Sequence, residues 1–130
     1  MNTPANLKYT QSDEWVQLDG NIATIGITDY AQEQLSDIVY VEITVASGDD
    51  VKKNSLVATL ESVKAAADVN TPVSGTVLEV NEELGNTPEA VNSDPYGKAW
   101  LVKLEIKDPS ELNSLMDASA YESYCSNRSH

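Results

Sequence analysis

The chain carries 21 acidic and 8 basic residues in 130, a formal net charge of −13. Such a surface repels phosphate backbones and anionic headgroups, which argues against nucleic acid and membrane partners and leaves solubility, or docking onto basic surfaces, as the use of the acidity. With 41% apolar and 22% charged residues the composition excludes wholesale disorder, and the length suits one domain over 1–130 with a single core.

After a loose start, residues 15–18 and 22–27 are β-rich runs separated by the turn former Asp19-Gly20-Asn21, which predicts a hairpin. Thr28 or Asp29 can cap a short helix through Leu35, with Gln32 placed to reach back to Asp29 in a capping box. Residues 38–45 read as a strand, Ser47-Gly48-Asp49-Asp50 as a turn, and 76–80 and 100–106 as further strands. Between these last two, 81–98 is a turn-rich loop containing Gly85, Pro88, Pro95 and Gly97, long enough to be functional, with room for one helical turn. Asp108 caps a predicted helix that opens with Pro109 at its first position and Glu111 completing the box. Leu112, Leu115 and Met116 supply its apolar face. A second short helix covers 118–125, and 126–130 is expected to be a frayed tail.

Cys125 stands alone, so no disulfide can form within the chain, in keeping with a reducing compartment. The one histidine, His130, is terminal, which leaves a Ser-His-Asp triad or a histidine metal site without a firmly held member. The glycines form neither a dinucleotide fingerprint nor a phosphate loop, and Asp49-Asp50 lacks calcium-loop spacing. No apolar stretch suggests a signal peptide or a transmembrane helix, and Asn127-Arg128-Ser129 is read as a chance sequon. No catalytic or metal-ligating residue is assigned, and the absences point to a binding or carrier module rather than an enzyme.

In the segment 60–69 propensity and pattern diverge. Leu60, Glu61, Lys64 and three successive alanines favour a helix, against Val57, Thr59 and Val63. Yet Glu61-Ser62-Val63-Lys64-Ala65 strongly resembles the lipoylation motif of glycine cleavage H proteins, in which the lysine sits on a β-hairpin. The resemblance continues through Tyr9, Glu14-Trp15-Val16, Ile25-Gly26-Ile27-Thr28 with Ala31-Gln32, and Asp37-Ile38-Val39. Downstream it takes in Pro72-Val73-Ser74-Gly75, Glu79-Val80-Asn81, Pro95-Tyr96-Gly97 and Trp100, so it covers nearly the whole chain. Three positions depart from it: Asp13 stands for the usual histidine, Ser36 for the glycine before Asp37, and Ala99 for the glycine before Trp100. Ser36 would be strained if its backbone needs positive φ.

The resemblance implies a mainly β barrel-sandwich hybrid with short flanking helices, including C-terminal ones, and a hairpin rather than a helix over 56–69. It implies lipoic acid in amide linkage on Lys64, the one cofactor-binding residue assigned, and a monomeric shuttle substrate rather than an enzyme. The implied partners are a pyridoxal-phosphate glycine decarboxylase, an aminomethyltransferase, dihydrolipoyl dehydrogenase and a lipoate-attaching enzyme. The resemblance suits either a bacterial cytoplasm or the mitochondrial matrix, and Met1 favours the bacterial cytoplasm as the expectation. Glu14 falls on a position associated with the cleft where the loaded arm rests, though a solvated strand charge is the competing reading. Glu61 and Asp68 read as surface acids near the partner footprint, and Trp15 and Trp100 as core or cleft-wall aromatics. Three rivals remain at this stage: a lipoate relay protein, a biotin carrier, against which Val63 and Ala65 stand in place of flanking methionines, and an enzyme using Lys64 as a Schiff-base nucleophile.

Overall fold

Gly20, at the first of two turn residues, takes a φ of 60°, a conformation that costs glycine little. The β-rich runs on either side fold back on each other as β2 (Glu14–Asp19) and β3 (Ile22–Ile27), the expected hairpin. The computed structural model describes residues 2–128. Among these, β1 (Lys8–Tyr9), β5 (Asp50–Val51), β8 (Gly75–Val80) and β9 (Val102–Ile106) join the hairpin in a six-stranded antiparallel sheet ordered β1-β2-β3-β9-β8-β5. A second antiparallel sheet holds β4 (Ile38–Ile43), β6 (Leu56–Ser62) and β7 (Ala66–Asn70) in the order β4-β6-β7. Short helices flank the sheets: α1 (Asp29–Leu35), α2 (Ala90–Ser93) and the C-terminal α3 (Ala118–Ser126). The result is the mainly β barrel-sandwich arrangement.

The main core lies between the sheets. Val57, Ala58 and Leu60 of β6 and Val69 of β7 pack with Ile25, Val77, Val102 and Leu104 of the larger sheet. Burying such a side chain contributes about 1.5–3 kcal/mol. A smaller aromatic cluster gathers Tyr9, Trp15, Tyr30 and Tyr121 beneath α3, with Tyr9 and Tyr121 stacked 4.7 Å apart. Gly26 pairs with Trp15, and a Cβ at Gly26 would lie 2.7 Å from the indole, so this cross-strand seat requires glycine.

Several local expectations are corrected. The N-cap of α1 is Thr28, whose hydroxyl accepts from Ala31 N–H, and Gln32 binds the Asp29 carboxylate rather than closing a box on the backbone. The long loop contains a 3-10 turn over Glu82–Gly85 in addition to α2. Pro109–Ser114 is also a 3-10 helix, capped by Asp108 as expected. Glu111 does not complete the box: its carboxylate takes the Ser74 N–H and hydroxyl at 2.7 and 2.9 Å. Leu115 and Met116 lie beyond that helix, and Met116 exchanges backbone hydrogen bonds with Tyr9. Ser126 lies in α3 and Arg128 is hydrogen-bonded, so these residues are not a loose tail. The remainder of the expected tail, with His130, lies outside the described residues.

The corner between α1 and β4 bears on the site. Asn92 of α2 donates to the Ser36 carbonyl and to Gln32 Oε1, and accepts from Ile38 N–H. The long loop thus holds the entry to β4. At this corner Ser36 has φ 66° and ψ −153°, a region that is essentially glycine's own. Replacing Ser36 by glycine should therefore stabilise the fold by about 1 kcal/mol, the strain relieved exceeding the extra chain entropy lost. Urea unfolding measures it, and a destabilised S36G protein would contradict the strain.

Candidate functional site

The strands β6 and β7 are paired from Leu56↔Asn70 to Glu61↔Ala66, leaving Val63-Lys64-Ala65 as the connection. Ser62 closes this turn with its backbone and its hydroxyl. Its N–H donates to the Ala65 carbonyl at 2.8 Å. Its Oγ donates to the same carbonyl at 3.1 Å and accepts from the N–H groups of Lys64 and Ala65 at 3.3 and 3.0 Å. From the neighbouring corner, the Asp37 carbonyl accepts Val63 N–H at 3.0 Å. The helix suggested by propensity is displaced because β6 is paired on both edges and sends Val57, Ala58 and Leu60 into the core. Ser62 was not singled out from sequence, although serine is a common turn-closing residue.

On this fixed backbone the Lys64 side chain is exposed. Among the described residues its amine has no hydrogen-bond or ion-pair partner. A Schiff-base nucleophile needs a desolvated or cation-flanked amine, and Lys64 is exposed to solvent on this turn. The arrangement suits acylation by an external enzyme.

A groove of about 170 Å³ lies beside the hairpin. Leu60, Ala67 and Val69 form its hairpin side, Ile27, Ala31 and Leu35 contribute further apolar wall, and Glu14 and Asp68 supply carboxylates. Ala67 is three residues from Lys64, so an extended chain between them spans no more than about 11 Å. A larger hollow of about 560 Å³ also borders Glu14, on the side of Lys53 and Tyr124, but no residue of β6 or β7 enters it.

Glu14 is not a solvated strand charge. It is 2% exposed, and its Oε1 accepts from Thr10 and Ser12 hydroxyls at 2.6 and 2.7 Å while Oε2 accepts from Asn70 N–H at 3.3 Å. Burial pushes its pKa above the usual carboxylate range, the neighbouring Asp13 adds to the rise, and the hydrogen bonds from Ser12, Thr10 and Asn70 oppose it. Asp68 is exposed and borders the groove, whereas Glu61 is exposed on β6 outside it. Neither tryptophan lines the groove. Trp15 is buried with its indole N–H on the Pro95 carbonyl, and Trp100 is half-buried beneath the Lys103 ammonium.

Residues 7–128 match the family model described as glycine cleavage H-protein. The chain belongs to the glycine cleavage H-protein family. Its relatives include the glycine cleavage system H protein of Thermotoga maritima, 52% identical over 118 residues that cover 91% of this chain and 94% of the relative. The mitochondrial glycine cleavage system H protein 2 of Arabidopsis thaliana is 50% identical over 120 residues, 92% of this chain and 76% of that one. A crystal structure of a glycine cleavage system H protein from Mycobacterium marinum superposes with a TM-score of 0.85 at 29% identity, covering 95% of this chain and 98% of the other. An H-protein family member with this fold carries its candidate lysine where the hairpin turns.

The raised pKa of Glu14 has a consequence for stability. Relative to the unfolded chain the fold disfavours ionisation of Glu14, so the stability linked to its proton is complete below the unfolded carboxylate pKa and is lost as pH rises through the raised folded value. Relative to Glu14→Gln, which does not ionise, the unsubstituted protein should lose stability across that window. Urea unfolding at a series of pH values tests this, and a difference that stays constant with pH would count against a buried ionising carboxylate.

Proposed function

We propose that Lys64 carries lipoic acid in amide linkage and that the chain shuttles the aminomethyl group of glycine between the enzymes of the glycine cleavage system. Family membership makes the chain a carrier component of that system. The observation that carries the assignment to Lys64 is an exposed amine, without a hydrogen-bond or ion-pair partner among the described residues, on a turn whose backbone is fixed by Ser62. A lysine side chain alone offers a primary amine that can be acylated without breaking the backbone.

When bound there, lipoic acid supplies a dithiolane that takes up the aminomethyl group left by glycine decarboxylation, with reduction, and gives it up for transfer to tetrahydrofolate. The chain's own residues do the rest. The turn presents the amine to successive partners, and tethering at a fixed point raises the local concentration of whatever it carries. The apolar walls contributed by Leu60, Val69, Ile27 and Leu35 can exclude water from a group resting in the groove. Glu14 and Asp68 offer carboxylates to an amine there, a charge-assisted pairing. The proposed partners are a pyridoxal-phosphate glycine decarboxylase, an aminomethyltransferase, dihydrolipoyl dehydrogenase and a lipoate-attaching enzyme; the acidic surface of this chain would speed encounter with any partner that presents a basic patch. We assign the protein to a bacterial cytoplasm, with the mitochondrial matrix as alternative.

After treatment with a lipoate ligase, peptide mapping should find one added lipoyl group, on Lys64, and none after Lys64→Arg, because the guanidinium is not an acyl acceptor. Modification at Lys103, or survival of the added mass in the K64R protein, would overturn the assignment. Reconstitution of glycine–carbon dioxide exchange with the decarboxylase separates a carrier of this system from a protein that only relays lipoate. Only the carrier supports exchange.

A further inference from the structure

One residue before Glu14 stands a second carboxylate, and the C-terminal end of the chain supplies its counter-charge. Asp13 occupies a left-handed backbone position, φ 73°, and its carbonyl accepts Thr28 N–H at 3.0 Å. Its carboxylate takes Arg128 Nη1 and Nη2 at 2.6 and 3.0 Å, a bidentate pairing in which both side chains are mostly shielded from solvent. Tyr121 Oη donates to the same carboxylate at 2.8 Å and lies 2.7 Å from the Thr28 hydroxyl that caps α1. The guanidinium is flanked by the rings of Tyr30 and Tyr124, 4.3 and 4.8 Å from their centroids. The far end of the chain is thus tied to the 10–14 turn, which holds Glu14 at the groove.

The charged and titratable groups around Glu14 make this tie electrostatic as well as mechanical. Asp13 precedes it, Asp68 of β7 lies across the groove, and Lys53, Tyr9 and Tyr124 border the larger hollow on its other side. Lys53 donates to Ser114 from an exposed position, whereas Arg128 is locked onto Asp13. Without Arg128, Asp13 would be an unpaired anion next in sequence to Glu14, and the more buried of the two, Glu14, would be disfavoured as a carboxylate.

We propose that Arg128 is a positioning residue for Glu14: by clamping and neutralising Asp13 it holds the 10–14 turn in place and keeps Glu14 a carboxylate for an amine brought into the groove. The use of that carboxylate rests on the proposed carrier function, but the clamp itself does not. It is therefore tested on the unlipoylated protein, by following the side-chain carbonyl of Glu14 through a pH titration with carbon-13 NMR.

Opposite charge changes should move Glu14 in opposite directions. Arg128→Gln leaves Asp13 unpaired and should shift the Glu14 midpoint upward, while Asp13→Asn removes the anion and should shift it downward. The D13N/R128Q double variant should return toward the unsubstituted value, and Arg128→Lys, which keeps the charge, should stay near it. A merely structural tie would move both single variants the same way, and that result, or no movement in either, would overturn the proposal. Circular dichroism confirms that each variant is folded before it is titrated. Ammonia release from the aminomethyl-loaded protein is the separate readout, expected to be faster for R128Q. Midpoints that move as expected with unchanged release would overturn the hold of Glu14 on the arm and leave the clamp standing. Midpoints that do not move overturn the clamp whatever the release rate.

Discussion

Everything at the site depends on β6 being hydrogen-bonded along both edges. Its pairing with β4 and β7 fixes which residues face the core, and a slip by one residue would turn Ala58 and Leu60 outward. That cost holds the register, and the register puts Lys64 in the turn. The corner at 36–38 reinforces it from the side, since Asn92 grips the Ser36 carbonyl and the Ile38 N–H while Asp37 accepts from Val63. The lipoyl arm proposed for Lys64 would need such an anchor, so that partner enzymes could find its root at one place.

The second constraint is the buried carboxylate. Glu14 is retained in a nearly dry position at a cost in stability, and its three hydrogen-bond donors come from the 10–14 turn and from β7. Because Asn70 ends the same strand that leads away from the lysine turn, the carboxylate and the hairpin are parts of one construction. The groove between them combines apolar walls with acid groups, which suits an amine on an apolar tether better than it suits an anion. Asp13 and Arg128 extend the network to α3, so the C-terminal helix contributes to the site although its helical residues do not line the groove.

Much of this was legible in the chain and some was not, for identifiable reasons. The β2–β3 hairpin was readable because Gly20 marks a turn between two β-rich runs, and α1 because its start carries a cap; α3 was expected over 118–125, but its Asp117 cap emerges only in the structure. Lys64 was readable only from the motif around it, since local propensity across 60–69 favours a helix and tertiary pairing decides otherwise. The burial of Glu14 was not readable, because glutamate at a strand start is usually solvated and the partners that bury it include a backbone N–H 56 residues away. Arg128 looked like part of a tail because its partner, Asp13, is 115 residues distant, and the departure noted at Asp13 does not name the residue it pairs with. The frustrated position was half visible: Ser36 replaces a glycine, and the structure supplies the positive φ that makes the replacement costly.

The fold, and not local sequence alone, sets where the amine proposed for acylation stands. Exchanging Lys64 and Ala65 tests it most directly, since composition, charge and helix propensity are unchanged and only the position in the Ser62-closed turn differs. With folding confirmed by circular dichroism, intact mass after ligase treatment should show little or no lipoyl addition. Efficient lipoylation at position 65 would mean that the ligase reads a mobile segment and that the rigid hairpin does not place the arm.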